Sequence, residues 1–389
     1  MAKRIEGWTG RTADIEPPPI AEVNALAAKL ASEGRDLVNL GQAVLGLPPP
    51  RRAVERARAF LEGEEVHAYS PDPGIPEARE AVAWLLRERK AIEGARGDEV
   101  IMTCGANQAF VNAMLAVTRP GDEVVIFNPG YFDHEFAVKL AGCIPRIVRL
   151  AMSGGRFVIE AGEVESAIGP RTRCIVLVSP GNPSGMVATV DETAHLCRIC
   201  ARHGLWLVSD ETYDLLVYPP FRHVSPASLG IHDRVVVIGS FSKTFALASW
   251  RVGYMWGRGR VIPEALKAQD AIVVCAPVPS QIAAVGAIAG VDEYVEAAIA
   301  ALVERRDALL TSIRDWQAVD PIAPEGGTYV LARLVAGGDD VAACKDILVR
   351  TGVVLVPGSA FGGRGYVRIS FGNQPPDRIR EACARLARY

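Results

Sequence analysis

The segment CIVLVSPGNPSGMVATVDETAHLCRICARHGLWLVSD, residues 174–210, indicates the architecture of this chain. It begins with an apolar run rich in β-branched residues, Cys174–Ser179, and it ends with a second run of that kind, Leu205–Ser209. Between them, the apolar residues of Asp191–His203 recur at helical spacing. This order predicts two neighbouring parallel strands joined by a helix, because parallel strands need a long crossover connection.

The same alternation extends to both sides of this segment. We predict strands over Glu99–Thr103 and Glu123–Phe127 before it, and over Arg234–Gly239 after it. Helical spacing is found in Gln108–Val117 and Tyr131–Leu140. Continuous apolar strands that alternate with helices are typical of a parallel sheet covered on both faces. The sequence therefore predicts an α/β fold with a mostly parallel central sheet and helices on both faces.

The C-terminal part of the chain follows a different pattern. Two long helical segments, Val291–Trp316 and Val341–Arg350, are interspersed with short strands at Thr328–Leu334 and Tyr366–Phe371. This pattern predicts a second, smaller α+β domain, to which the N-terminal segment contributes. We expect three parts: an N-terminal arm with part of the small domain at residues 1–44, a large domain at 45–288, and a C-terminal small domain at 289–389.

Composition and charge exclude several classes of function. The chain has 389 residues and a formal net charge of −3, whereas a protein that binds nucleic acid needs a basic face. No apolar run reaches the length of about 18–20 residues that a membrane span requires, and the first thirty residues lack the apolar core of a secretory signal. Eight cysteines are too few for a disulfide scaffold at this length. We therefore expect a cytoplasmic globular protein whose partners are neither nucleic acids nor membranes.

Five of the predicted strands end in loops with reactive or polar residues. In a sheet of this kind, ligands bind just beyond the carboxyl ends of the strands, so these loops should meet at one site. The loops are Cys104–Gln108, Asn128–His134, Pro180–Gly185, Asp210–Tyr213 and Ser240–Phe245.

The side chains of these loops meet the requirements of one cofactor. A lysine amine such as that of Lys243 forms a Schiff base with a carbonyl group, and a carboxylate such as that of Asp210 keeps a pyridine nitrogen protonated. Hydroxyl groups, an arginine such as Arg251 and a helix N-terminus bind a phosphate dianion. A flat side chain such as that of Tyr131 stacks on an aromatic ring. Together these features predict pyridoxal 5′-phosphate as the cofactor.

At these residues the sequence resembles the class I and II aminotransferases, which are fold-type I enzymes that depend on pyridoxal phosphate. The resemblance extends from Asn39 to Arg368, and it is most specific in three segments taken in order. It implies a homodimeric enzyme with the cofactor in its large domain. Such an enzyme moves an amino group between an L-amino acid and a 2-oxo acid. The three segments are SPGNPSG at 179–185, DETY at 210–213, and SFSK at 240–243 followed by WRVGY at 250–254.

The resemblance implies the catalytic roles position by position. Lys243 resembles the Schiff-base lysine that also serves as the general base, and Asp210 resembles the partner of the pyridine nitrogen. His134 resembles the imidazole that orients this aspartate. Tyr213 and Asn182 match the residues that bind the 3′-oxygen of the ring.

The remaining site residues are also implied by the resemblance. Tyr131 matches the aromatic ring that stacks on the cofactor, and Tyr69 matches a tyrosine that reaches the phosphate in the neighbouring subunit. Arg368 resembles the arginine that binds the substrate α-carboxylate with two parallel N–H donors, and Gly41 and Asn182 would also border the substrate. The phosphate site would consist of Gly105, Ala106, Asn107, Ser240, Ser242 and Arg251.

The sequence leaves the substrate and the reaction type open. Many relatives have a Gly-x-Pro-Asp-Phe run after the first strand, whereas residues 41–47 here are GQAVLGL, in a segment that usually borders the substrate side chain. There is no clear match for a second arginine, so specificity for dicarboxylates is unsupported. The alternative on the same fold is a lyase, cyclase or oxidase of an amino acid. An amino-acid sensor is disfavoured because the chain shows no helix-turn-helix or basic flank.

Some candidate residues also have a structural interpretation. A histidine on a helix, such as His134, is often only structural, Asp210 could cap the following helix, and Arg368 could form a structural ion pair. Cys197 and Cys200 are spaced as in a zinc site, but the pair lies in one helical segment without a second Cys pair. We therefore predict no metal site.

Overall fold

The computed structural model describes residues 10–63 and 67–389. In these residues the α-helices are α1 (Ile20–Ser32), α2 (Arg51–Leu61), α3 (Pro76–Lys90), α4 (Ala106–Val117), α5 (Phe132–Leu140), α6 (Ala161–Ser166), α7 (Val190–His203), α8 (Val261–Val273), α9 (Val278–Ile288), α10 (Val291–Ser312), α11 (Asp340–Thr351) and α12 (Pro376–Leu386). The strands are β1 (Val38–Asn39), β2 (Val100–Thr103), β3 (Glu123–Asn128), β4 (Ile144–Arg149), β5 (Ala151–Ser153), β6 (Arg156–Val158), β7 (Thr172–Val178), β8 (Trp206–Asp210), β9 (Val235–Ser240), β10 (Gly253–Gly257), β11 (Val319–Ile322), β12 (Tyr329–Leu334), β13 (Val353–Val354), β14 (Val356–Pro357) and β15 (Tyr366–Ser370).

The central sheet has seven strands in the order β2-β10-β9-β8-β7-β3-β4. Strand β10 is antiparallel to both of its neighbours, whereas β9, β8, β7, β3 and β4 pair in parallel. Successive residues of one strand pack on opposite faces of the sheet. Leu207 of β8 lies in the apolar cluster that contains α2, α3, α7 and α9, while Val208 lies in the cluster that contains α4, α5 and α8. The predicted fold class, a mostly parallel sheet with helices on both faces, is confirmed.

Two strands of this sheet were not predicted. Strand β10 begins and ends with glycine, and Gly253 is paired with Ser240 and Thr103. A Cβ atom at Gly253 would lie 2.7 Å from the carbonyl oxygen of Gly239, so this close approach needs a glycine. Strand β4 lies at the sheet edge, where several residues are exposed and the apolar pattern is therefore weak.

Helix α7 shows how local sequence sets the ends of an element. The Thr189 hydroxyl accepts a hydrogen bond from Glu192 N at 3.1 Å, and the Glu192 carboxylate accepts one from Thr189 N at 2.8 Å. This capping box satisfies two backbone donors that would otherwise lack partners. Gly204 ends the helix with a φ of 64°, a left-handed conformation that favours glycine. The helix between these ends buries Leu196 and Cys200 against the sheet.

A second sheet contains four strands in the antiparallel order β11-β12-β15-β14. It shares an apolar cluster with helices α10, α11 and α12. Strand β1 pairs in parallel with β13, so the N-terminal segment packs with the C-terminal part of the chain. The division of the chain at residues 44 and 288 stays a prediction.

The carboxyl ends of the central strands face this second sheet. The turn after β7 contacts the segment that leads into β12, because Glu325 N and Gly326 N both donate to the carbonyl oxygen of Gly185, at 2.9 and 3.0 Å. The Tyr329 hydroxyl donates to the carbonyl oxygen of Gly181 at 3.3 Å. The loops that carry the predicted site residues therefore lie between the two sheets.

Candidate active site

A cavity of about 420 Å³ lies at the carboxyl ends of the central strands. Most of the predicted site residues line it, and they come from both ends of the chain. Gly105, His134 and Tyr69 are not among the lining residues. The predicted residues in the lining are Gly41, Ala106, Asn107, Tyr131, Asn182, Asp210, Tyr213, Ser240, Ser242, Lys243, Arg251 and Arg368.

Lys243 follows β9 and brings an amine into the cavity. Its Nζ donates a hydrogen bond to the carbonyl oxygen of Ala43 at 2.8 Å. Burial disfavours the charged form, and the nearby guanidinium groups of Arg368 and Arg251 disfavour it further, so the pKa of Lys243 falls to about 8. A lysine with this pKa is neutral far more often at physiological pH than a surface lysine, and a neutral amine is what a nucleophile or a base requires.

Asp210 is the last residue of β8, and it is held as a carboxylate. Its Oδ2 lies 3.0 Å from Nε2 of His134, and its Oδ1 accepts a hydrogen bond from Thr212 N at 3.0 Å. Burial raises the pKa of Asp210, but the hydrogen bond and the charge of His134, together with the Thr212 contacts, outweigh it. The net pKa therefore lies below the ordinary value. The cavity thus holds a buried negative charge.

His134 is fixed by aromatic rings on α4 and before α5. Its ring centroid lies 4.2 Å from that of Phe110 and 5.3 Å from that of Tyr131, and it contacts the second ring edge-on. The side chain is buried. The geometry therefore places the imidazole as a support for Asp210, rather than as a group that lines the cavity itself.

Tyr213 offers an unused hydroxyl group to the cavity. Among the described residues, this buried hydroxyl has no hydrogen-bond partner. Burial raises the pKa of Tyr213 to about 12, although the nearby Arg368 opposes the change. The hydroxyl therefore stays protonated and can donate to an oxygen atom of a ligand.

Arg368 lies on β15 and is buried without a carboxylate partner among the described residues. Its Nη1 donates to Oδ1 of Asn182 at 3.0 Å, and its Nη2 donates to the carbonyl oxygen of Gly41 at 2.8 Å. Its Nε has no partner. Both acceptors are neutral, so the positive charge is available to an anion, and no described carboxylate forms the structural ion pair considered from the sequence.

The N-terminus of α4 and Arg251 form a second positively charged region. Gly105 precedes the helix with a φ of 81°, and a Cβ atom there would lie 2.6 Å from Nη2 of Arg251. Arg251 Nη2 donates to the carbonyl oxygen of Cys104 at 3.4 Å, and Ser240 Oγ accepts from Ser242 N at 3.1 Å. Free backbone N–H groups, hydroxyls and a guanidinium are the groups that bind phosphate.

Tyr131 is held in the cavity wall by a carboxylate that the sequence analysis did not single out. Its hydroxyl donates to Oδ2 of Asp133 at 2.6 Å, and Asn107 Nδ2 donates to the same oxygen at 2.9 Å. Burial and the neighbouring Asp133 raise the pKa of Tyr131. The phenol ring is therefore fixed in one orientation along the wall.

Several further lining residues were not singled out as site residues by the sequence analysis. They come from α1, α5, β7 and β14, from the segment after β1, and from the turns after β8 and β9. Ile20 begins the first helix directly after three prolines, which marks an element start but gives no sign of a site. A two-residue strand such as β14 has no periodic pattern that could have identified Val356. These lining residues are Ile20, Asn24, Gln42, Ala43, Val44, Phe132, Val178, Thr212, Ala248 and Val356.

Two other sequence features lie away from the cavity. Tyr69 is 85% exposed, so its predicted role in a neighbouring subunit stays a prediction. Cys197 and Cys200 are buried, with sulfur contacts to the carbonyl oxygens of Pro226 and Trp206. In residues 10–63 and 67–389 no group of three or more His, Cys, Asp or Glu side chains is placed to hold a metal ion. None of the helices in this described part combines the length and the apolarity needed to cross a bilayer.

The whole chain is similar to proteins of known activity. An aspartate aminotransferase of Thermotoga maritima is 33% identical, covering 97% of each chain. The aromatic aminotransferase ISS1 of Arabidopsis thaliana is 32% identical over 97% of this chain and 94% of its own length. The solved structure of a single mutant of the Thermus thermophilus aspartate aminotransferase has a TM-score of 0.93 at 32% identity, over 99% of this chain and all of that one. This similarity confirms the fold-type I architecture.

The sequence profile of the family described as "Aminotransferase class I and II" matches residues 35–386. The match spans both sheets and every residue that lines the cavity from Gly41 onward. The chain belongs to the class I and II aminotransferases.

Proposed function

We propose that this aminotransferase binds pyridoxal 5′-phosphate in the cavity and uses Lys243 as its reactive amine. Members of the family generally use this cofactor. The observation that carries the proposal is the pairing of two groups in one cavity: a lysine whose pKa falls to about 8, and a carboxylate that His134 keeps ionised. These are the two groups that the cofactor needs at its aldehyde and at its ring nitrogen.

The other groups in the cavity fit the rest of the cofactor. The start of α4 with Ser240, Ser242 and Arg251 would hold the phosphate, and Asp210 would hold the ring nitrogen. The unpaired hydroxyl of Tyr213 supports a contact to the ring 3′-oxygen, together with Asn182. The ring of Tyr131 would cover one face of the cofactor. Each group thus has a chemically suitable counterpart.

The residues of the chain divide the chemistry among them. When bound, the cofactor supplies an aldehyde that condenses with an amine and a ring that accepts the electron pair left on the substrate Cα. Arg368 binds the substrate α-carboxylate through its parallel N–H donors. Lys243 in its neutral form would accept the proton from the substrate Cα and would return it to the carbon that the cofactor's aldehyde supplies. Asp210, whose own pKa is held low, would keep a proton on the ring nitrogen of the bound cofactor.

This reaction moves an amino group from an L-amino acid to a 2-oxo acid. Both curated relatives named above are aminotransferases, which supports this reaction over the lyase, cyclase or oxidase alternative on the same fold. The alternatives differ in a measurable product, since a transaminase releases a 2-oxo acid without releasing ammonia.

We also propose that the enzyme is a cytoplasmic homodimer in which Tyr69 reaches the active site of the partner. The exposure of this tyrosine outside its own cavity supports the arrangement. All eight cysteines are unpaired, which supports a reducing compartment.

Replacement of Lys243 tests the proposed function. The wild type should take up pyridoxal phosphate, and borohydride reduction should fix it irreversibly to Lys243, as shown by peptide mass spectrometry. Lys243→Ala should give no fixed adduct, and transamination should fall by more than about 100-fold because the general base is lost. Lys267→Ala is the matched control, since this lysine pairs with Glu264 on the surface of α8. Transamination by Lys243→Ala near the wild-type rate would contradict the assignment.

A further inference from the structure

We propose that the cavity contains a subsite for a large apolar side chain beside Arg368. The preferred substrates would then be amino acids with an uncharged apolar side chain, and dicarboxylic amino acids would bind poorly. This inference rests on the proposed function, because it takes Arg368 as the group that binds the α-carboxylate.

An apolar wall forms this subsite. Ile20, Phe132 and Val356 all line the cavity. They also belong to one apolar cluster that includes the buried side chains of Ala360 and Phe361. The wall thus joins three elements that are distant in the sequence, α1, α5 and β14, and it is continuous with the core behind it.

The position of this wall relative to Arg368 follows from the sheet register. Val356 of β14 is the direct cross-strand partner of Arg368 on β15, so the two side chains project from the same face of the sheet. The guanidinium carbon of Arg368 lies 4.7 Å from the ring centroid of Phe361. An amino acid whose carboxylate binds Arg368 therefore extends its side chain along Val356, Phe132 and Ile20.

Among the described residues, each positively charged side chain in the lining already has an assigned role. Lys243 supplies the reactive amine, Arg251 belongs to the phosphate site, and Arg368 binds the α-carboxylate. Asp210, the one acidic residue that the described residues contribute to the lining, is in contact with His134. The described part of the lining therefore offers no further positive charge to a second carboxylate of the substrate, and burying a carboxylate without a partner is strongly unfavourable.

The polar part of the lining also disfavours a second carboxylate. Apart from Asn182, which accepts a hydrogen bond from Arg368, the amide side chains in the lining are those of Asn24, Gln42 and Asn107, and none of them carries a charge. The Asn107 amide already donates to the Asp133 carboxylate at 2.9 Å. A substrate carboxylate that approached Asn107 would therefore meet a negative charge within a few ångströms.

Unreactive carboxylates that lack an amino group test the subsite by binding alone. On the enzyme loaded with pyridoxal phosphate, isothermal titration calorimetry should show 3-phenylpropanoate binding at least about tenfold more tightly than maleate. Equal or tighter binding of maleate would overturn this inference and leave the proposed function intact. Failure of borohydride to fix the cofactor on Lys243 would instead overturn the proposed function, and this inference with it.

A charge introduced into the wall provides the second arm of the test. Ile20 is only partly buried, so Ile20→Lys should fold. This variant should bind 3-phenylpropanoate about tenfold less tightly and maleate more tightly than the wild type does. Val335→Lys adds the same charge at an exposed position outside the cavity, and it should leave both affinities unchanged. If Ile20→Lys also left both affinities unchanged, the proposed subsite would be wrong.

Discussion

At the scale of single residues, the site depends on charges that burial and neighbours have adjusted in opposite ways. Lys243 is moved toward its neutral form, whereas Asp210 is held in its charged form although burial alone would neutralise it. The difference comes from the partners: Lys243 has two guanidinium groups nearby, and Asp210 has His134 and Thr212. Neither shift can be read from the residue types, because each depends on side chains that are distant in the chain.

The pKa of Lys243 predicts the pH dependence of cofactor attachment. With a pKa of about 8, the amine is neutral in about one molecule in ten at pH 7, against about one in 3,000 for a lysine of pKa 10.5. Because the neutral form reacts, the rate at which the cofactor-free enzyme forms the imine should rise about tenfold per pH unit below pH 8 and level off above it. Absorbance changes after mixing measure this rate. The control is the reaction of N-acetyl-lysine with the cofactor in solution. A pH profile of the enzyme's rate with its midpoint near pH 10.5 would contradict the prediction.

At the scale of elements, the start of α4 combines two requirements for glycine at one position. Gly105 has a φ of 81°, and a Cβ atom there would also press on Arg251. Gly105→Ala should therefore strain the backbone by about 1–3 kcal/mol and weaken the affinity for pyridoxal phosphate by at least about tenfold. Gly121 has a φ of 89° with no atom within 4 Å of the added Cβ, so Gly121→Ala should lose stability without losing affinity. Thermal unfolding and equilibrium dialysis measure the two effects, and equal loss of affinity in both variants would contradict the proposed phosphate site.

The sequence predicted best the elements with a regular spacing of apolar residues or a clear capping motif. The observed bounds of α7, Val190–His203, differ by one residue from the predicted Asp191–His203, and the five predicted strands of the central sheet lie within two residues of their observed positions. Strand β10 was missed because its glycines serve close packing against β9, a tertiary requirement that leaves no periodic signal. The meeting of the loops at one site was predictable, because the carboxyl ends of parallel strands lie at the same edge of the sheet. The apolar wall of the cavity could not be predicted, because Ile20 and Val356 reach the cavity only through the packing of α1 and β14.

At the scale of the whole molecule, the cavity exists only where both sheets and the N-terminal segment meet. Ala43 after β1 accepts the hydrogen bond of Lys243, and Gly41 accepts that of Arg368, so one short segment spans the two halves of the site. Strand β1 is itself paired with β13 in the C-terminal part of the chain. A movement of that part relative to the central sheet would therefore change the surroundings of the reactive amine and of the carboxylate site together.

The proposed dimer makes a prediction that a single chain cannot satisfy. If Tyr69 acts in the partner's site, each site combines Lys243 of one subunit with Tyr69 of the other. A mixed dimer of Tyr69→Ala and Lys243→Ala subunits should then contain one site with both changes and one site with neither. Co-expression with two affinity tags isolates this mixed dimer, and its activity should approach half that of the wild type, well above that of either parent. Because Tyr69 is 85% exposed in the isolated chain, its hydroxyl would otherwise remain in solvent. A mixed dimer no more active than the Tyr69→Ala parent would show that Tyr69 acts within its own subunit or takes no part in the site.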